Sequence, residues 1–199
     1  MPYNYDLAGL DWSPEHVNDS LAEVYDHAVT EARDILSWHD EKARANGQAA
    51  KSIRLLAVLS ISIGAVGPLI SSVWGLTIRP FSSPLSATLF ATIAATLLGI
   101  DRALGFSRNF VRYGSAADDI RKSLRSFRLK WFAKIAGLNG HPTTAEDLHS
   151  LREMAIGFQE SVGNIDQAFG LQFRAEFEKR LADIQTQAEE LKSKRENRA

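Results

Sequence analysis

The chain has 199 residues, 23 lysines and arginines against 24 aspartates and glutamates, a net charge of −1 and no cysteine. That balance argues against a nucleic-acid or other polyanion partner, and the missing cysteines exclude disulfides and thiolate metal sites. Mean hydropathy is −0.17, an average over one very apolar block, Ile53–Ile100, and two charged flanks.

The length sets an expectation of one or two domains. Met1–Leu10 has no basic start and no apolar core, so no cleaved signal peptide is expected there. Met1–Trp12 carries aromatics without a period and reads as a loosely ordered arm. Ser13-Pro14 offers a helix start, with serine as cap and proline at the first helical position. Ser20 and Glu23 offer a second start with capping-box spacing. Leu21, Tyr25, Ala28, Ala32, Ile35 and His39 then recur at spacings of four and three, one face of an amphipathic helix expected to end near Asn46-Gly47. His39-Asp40-Glu41 resembles catalytic or metal-binding material, but adjacent residues on a helix point apart, so a solvated face is the expectation. His16, His27, His141 and His149 are scattered and form no HExxH pair. P-loop, GxGxxG and nucleophile-elbow motifs are lacking as well, and nothing argues for an enzyme.

Leu55–Leu76 contains no charged residue. At about 22 residues, it would span the ~30 Å hydrocarbon core as a helix. Leu85–Ile100, about 16 residues, becomes a full span only by running past Asp101-Arg102 towards Phe106. Between them Thr77–Pro84, with Pro80, Pro84 and Ser82-Ser83, stops one helix and lets the next begin. The pattern predicts a helical hairpin that crosses a membrane twice. A soluble fold would have to wrap two all-apolar helices on every side within 199 residues, which fits poorly with so small a core. Lys42, Arg44, Lys51 and Arg54 precede the first span, and Arg102, Arg108, Arg112, Arg121 and Lys122 follow the second. The turn holds only Arg79. The positive-inside rule then places both termini in the cytoplasm, with Trp74 near the outer interface.

Gly64, Gly67 and Pro68 lie within the first span. They read either as a hinge or as a static, packing-shaped kink. In the second span Ala87, Ala91, Ala95 and Gly99 stand four apart, a small-residue ridge suited to close helix packing. Thr88, Thr92 and Thr96 form a hydroxyl stripe about 100° further round. That stripe either faces a water-filled lumen in an assembly or bonds back to its own helix carbonyls. Asp101 and Arg102 close the span as a candidate inner gate or ion pair, Arg54 or another copy being further partners for the aspartate; a simple end-cap is the alternative.

Phe106, Phe110, Tyr113, Ala117, Ile120, Leu124, Phe127 and Trp131 continue as a heptad seam beyond the span, ending at a turn over Gly137–Pro142. Its basic outer face suits anionic lipid or solvent; holding an anionic nucleotide is the less favoured reading. A last helix is expected from Thr143, capped with Glu146. Leu148, Leu151, Ala155, Phe158, Val162, Ile165 and Phe169 keep the seam. After a change of register it passes to Phe173, Phe177, Leu181, Ile184, Ala188 and Leu191, with Gly157, Gly163 and Gly170 as points where it weakens.

Trp38 with Lys42 before the first span, Gly67-Pro68 within it, and Asp101–Tyr113 (DRALGFSRNFVRY) after the second resemble the SLATT family. These are two-transmembrane effector domains associated in bacteria with SMODS nucleotidyltransferases and SLOG nucleotide-sensing domains. The resemblance covers roughly Leu21–Lys134. Where the family often has a second aromatic after the tryptophan, this chain has His39. The resemblance implies a membrane effector of an anti-phage conflict system that assembles and perforates the inner membrane in answer to a cyclic nucleotide or a nucleotide-sensing partner protein. The expected fold is an all-α membrane protein: an N-terminal cytoplasmic amphipathic helix over 1–52, a two-helix transmembrane hairpin over 53–104, a cytoplasmic extension over 105–136 and a C-terminal cytoplasmic helix over 143–199. The cytoplasmic seams together make a helical bundle or coiled-coil region, or an oligomer interface, below the hairpin. The expected partners are the lipid bilayer and further copies of the chain, with no cofactor and no nucleic acid. A hairpin that merely anchors a cytoplasmic helical scaffold is the competing expectation.

Overall fold

The computed structural model describes residues 10–13, 15–74, 84–138 and 143–196. Regular structure among them is helical throughout: α1 (Val17–Trp74), α2 (Pro84–Leu104), α3 (Phe106–Leu138) and α4 (Ala145–Glu196). The expected turns lie outside the described residues, except for Pro84, which opens α2, and Gly137-Leu138, which close α3; most of the expected N-terminal arm does too. Contacts divide the chain into two compact units, Met1–Leu36 with Asp118–Ala199, and Ser37–Ala117.

In the first of these units α1 starts from a polar turn. Ser13 N donates to Asp11 Oδ1 at 2.9 Å, and Ser13 O accepts from His16 N and Val17 N. The bond from the Ser13 backbone amide is the main cause holding the Asp11 carboxyl below its ordinary pKa. The alternative start at Ser20 is not used. Ser20 lies inside α1 and donates its hydroxyl to Asp11 O at 2.7 Å.

Residues of three helical segments converge on one apolar core. Leu21, Val24, Ala28, Val29 and Ala32 come from α1, Ile120, Leu124, Phe127 and Trp131 from α3, and Leu151, Ala155, Phe158 and Val162 from α4. Phe127 is its hub: its ring stacks on Phe158 at 4.3 Å and 5°, and lies within 6 Å of Tyr25 and Trp131. Of the predicted seams, Ile120 to Trp131 on α3 and Leu151 to Val162 on α4 are buried here, whereas Phe110 on the α3 seam is exposed. α4 is capped one residue later than expected. Thr144 Oγ1, not Thr143, accepts from Asp147 N at 3.2 Å, while Asp147 Oδ2 accepts from the Thr144 hydroxyl at 2.6 Å. The capping box needs its acid three residues on, and both Thr143/Glu146 and Thr144/Asp147 satisfy that. Lys134 selects the second pair, since its Nζ reaches Asp147 Oδ1 at 2.8 Å. Gly157, Gly163 and Gly170 do not break α4, which runs to Glu196. Beyond Phe169, however, Leu171, Phe173, Phe177 and Leu181 are exposed.

In the second unit α1 does not end at Asn46-Gly47, contrary to expectation. Asn46 Nδ2 donates to Lys42 O at 2.8 Å. Gly47 lies against Phe110, whose Cδ2 would stand 2.8 Å from an added Cβ. The glycine serves close approach, not termination. His39, expected on a solvated face, is fully buried, whereas Glu41 is exposed. His39 belongs to a seam that steps by four and three through Ala43, Asn46, Ala50, Ile53, Ala57, Ser60 and Gly64, all buried or half-buried. Ala43, Ala50, Ala57 and Gly64 repeat every seventh residue, and small residues at that period let a neighbouring backbone come close. At Gly64 an added Cβ would stand 2.9 Å from Phe90 Cβ and 3.5 Å from Ala87 O.

The large side chains lie on the other faces. Leu55, Leu56, Val58, Leu59, Ile61, Ile63, Val66 and Ile70 of α1, and Leu85, Leu89, Ile93, Leu98, Ile100 and Leu104 of α2, are all exposed. Only 17% of the most apolar stretch of one candidate span, and 11% of the other, is buried. Both are long and apolar enough to cross a membrane. A core helix of a soluble protein would show the reverse pattern, with its large residues inside.

Candidate functional site

Arg54, Asp101 and Ser107 of the second unit meet where α2 gives way to α3. Gly105 has φ 71°, the left-handed conformation that ends helices, and its N–H donates to Asp101 O at 2.8 Å. The new helix begins at once, Asn109 N donating to Gly105 O at 2.8 Å. Asp101 reaches across the break. Its Oδ1 accepts from Ser107 N at 3.2 Å and its Oδ2 from Ser107 Oγ at 2.6 Å. Ser107 Oγ in turn accepts from Arg54 Nη2 at 2.8 Å, and Arg54 Nε lies 3.9 Å from Asp101 Oδ2. Asp101 is mostly buried and Arg54 mostly exposed. An acid in the last turn of α2 meets an unfavourable helix dipole. The same acid at the first turn of α3 meets a favourable one and satisfies N–H and O–H donors there.

Of the residues singled out above, Asp101 thus meets Arg54, while Arg102 lies exposed in the last turn of α2. Thr92 Oγ1 donates to Thr88 O and Thr96 Oγ1 to Thr92 O, both at 2.8 Å, and all three threonines are exposed. Ala91, Ala95 and Gly99 of the small-residue ridge are exposed too, with nothing within 4 Å of a Cβ added at Gly99. Ala87, by contrast, lies beside Gly64. Gly67 and Pro68 lie inside α1, and their side-chain surroundings are outside the described residues.

Sequence reasoning missed Ser107 and Gly105 as parts of this junction. The available signal was a glycine amid helix formers with Asp and Ser six residues apart around it. Trp38, His39 and Tyr113 form a second cluster, the Trp38 ring standing edge-on to His39 at 4.9 Å and to Tyr113 at 5.6 Å. Two residues that carry the family resemblance, Trp38 and Tyr113, therefore touch.

In the first unit Lys134 bonds to Asp147 and, with the Thr144 hydroxyl, lowers the Asp147 pKa to about 2 from 3.8. A cleft of about 670 Å³ between α3 and α4 is lined by Asp119, Lys122, Lys130 and Glu153 with Ser123, Ser126 and Ser161. Its two cations and two anions cancel, so it has no charge preference. Among the described residues no three His, Asp or Glu side chains group as metal ligands.

No curated protein and no solved structure matches this chain. One family model does, described as SMODS and SLOG-associating 2TM effector domain 2, and it covers residues 6–195. A match along nearly the whole chain, over a fold with two candidate spans, makes the protein a member of the SLATT_2 family.

Proposed function

We propose that the hairpin crosses the bacterial inner membrane twice with both termini in the cytoplasm, and that copies of the chain assemble there to perforate the membrane as the effector of an anti-phage, nucleotide-signalling system. The observation that carries this reading is the inverted packing of the second unit. Small residues are turned inward and fourteen large apolar side chains outward, as lipid requires. The basic flanks and the single arginine of the connecting turn support the orientation. Ala91, Ala95 and Gly99 remain open on α2 for a helix of another copy, and Thr88, Thr92 and Thr96 are the candidate wall of the conducting path. Gly64, Gly67 and Pro68 are the candidate bend. Asp101 and Arg102 stand at the inner mouth in this reading, and the trigger is a cyclic nucleotide or a nucleotide-sensing partner protein.

The back-bonded hydroxyls of Thr92 and Thr96 favour a second reading, in which the hairpin is an anchor for a cytoplasmic helical scaffold. Ion flux from liposomes holding the purified protein separates the two, measured with and without added cyclic nucleotides and alongside the protein's mass in detergent. Flux from a defined oligomer that falls in Thr92→Leu supports the pore. An inserted protein silent under every condition, whose function survives replacement of both spans by unrelated ones, supports the anchor.

A further inference from the structure

We propose that Gly105 is a hinge between α2 and α3, and that Arg54, Ser107 and Asp101 are the latch that holds it bent. Glycine populates positive and negative φ about equally, so Gly105 admits both the observed break and a continuous helix. No proline in Arg102-Ala103-Leu104 or Phe106-Ser107-Arg108 bars the continuous form. In the bent state Ser107 N–H is satisfied by Asp101 Oδ1. In a continuous helix it would turn to the carbonyl four residues back, that of Ala103. One donor with two alternative acceptors, and one residue with two allowed conformations, make a two-state element.

At the junction the bent state is held by the pair of bonds from Ser107 to Asp101, and Arg54 ties that pair to α1, on which α3 also packs through Phe110 at Gly47 and Tyr113 at Trp38. Arg54 is mostly exposed and its charge contact long, so its hold is weak and reversible. A change in α1 that withdraws the guanidinium therefore loosens the break, and the three helices are coupled at one point. The latch rests on the proposed hairpin only for its place at the inner boundary, and its test reads conformation separately from conduction.

The chain has no cysteine, so Ile93→Cys and Val111→Cys, both at exposed positions, can carry spin labels for distance measurement by double electron–electron resonance in liposomes. In the latched protein the label pair gives one narrow distribution, shorter than the roughly 27 Å that separates residues eighteen apart on a straight helix. Ser107→Ala lengthens it by several ångströms towards that limit, and Gly105→Ala combined with Ser107→Ala reaches it. Ser107→Thr, which keeps the hydroxyl, retains the original distribution. Arg54→Gln broadens the distribution from a helix that does not border the break, which guards against misfolding of the junction itself. Unchanged distances in Ser107→Ala and Arg54→Gln overturn the latch, whatever the flux. Distances that shift while the same liposomes never conduct leave the latch standing and count against the pore.

Discussion

Gly64 and Gly99 carry the same residue on two candidate spans, yet an added methyl should act on them with opposite sign. At Gly64 the new Cβ would stand 2.9 Å from Phe90 Cβ. That neighbour is the root of a side chain, not its movable tip, so the helix backbones must separate. Overpacking of this kind costs about 1–3 kcal/mol, offset by about 1 kcal/mol of helix propensity gained over glycine. The expected net is a loss of up to about 2 kcal/mol. At Gly99 nothing lies within 4 Å of the added atom, so only the propensity gain of up to about 1 kcal/mol remains. At roughly 4–8 °C per kcal/mol for a unit of this size, Gly64→Ala should melt several degrees below the parent protein, and Gly99→Ala at or a few degrees above it. Thermal unfolding in detergent micelles, followed by circular dichroism, reads both. Equal shifts in the two variants, or a Gly64→Ala protein more stable than the parent, would falsify the close α1–α2 approach.

Gly64→Cys with Phe90→Cys should form a disulfide under mild oxidation once the two helices part by about 1 Å, since the Cβ positions stand 2.9 Å apart against a bridging range of about 3.5–4.5 Å; a gel that shows no mobility change sensitive to reductant sinks the register. Phe127→Ala should cost about 3–5 kcal/mol, the usual range for emptying a buried ring, in denaturant unfolding of the unit whose core it centres; a loss below 1 kcal/mol would remove it as hub. Asp147 has a folded pKa of about 2 against 3.8 ordinarily. Its contribution to stability is thus complete above about pH 4 and disappears as pH falls through 2. Acid titration of the parent and of Asp147→Asn should show the variant with a shallower loss across that window, and superimposable curves would contradict it. Phe173→Ser with Phe177→Ser alters exposed rings, so the single chain should keep its stability to within about 0.5 kcal/mol. If α4 joins copies of the chain, the mass in detergent falls; an unchanged mass takes this face out of the assembly.

Much of the helical pattern was legible in the residues. The two apolar blocks, the α3 seam from Ala117 to Trp131 and the α4 seam from Leu151 to Val162 are periodic runs of large apolar side chains, the strongest signal a sequence carries. What escaped was written in small or polar residues. Ala43, Ala50, Ala57 and Gly64 keep a seven-residue period, but alanine stands out neither among polar neighbours nor within an all-apolar span. Asn46-Gly47 has the local chemistry of a stop, overridden by the packing of Phe110 onto the glycine. His39 belongs by its spacing to the apolar face and by its neighbours to a polar triplet, and its burial decides for the former. The Gly105 break depends on Arg54, Ser107 and Asp101 meeting from three helices, and local sequence does not show such a meeting.

The bonds from Thr92 and Thr96 to carbonyls of their own helix also bear on how the chain is made. A segment leaving the translocon enters lipid at a cost set by the polar groups it brings unpaired. With those two hydroxyl hydrogens already committed inside the helix, α2, crossing the membrane as proposed, would enter hydrocarbon more cheaply than its threonine count implies. On the proposed reading, membrane integration of the second span then need not wait for a partner helix and would precede any assembly.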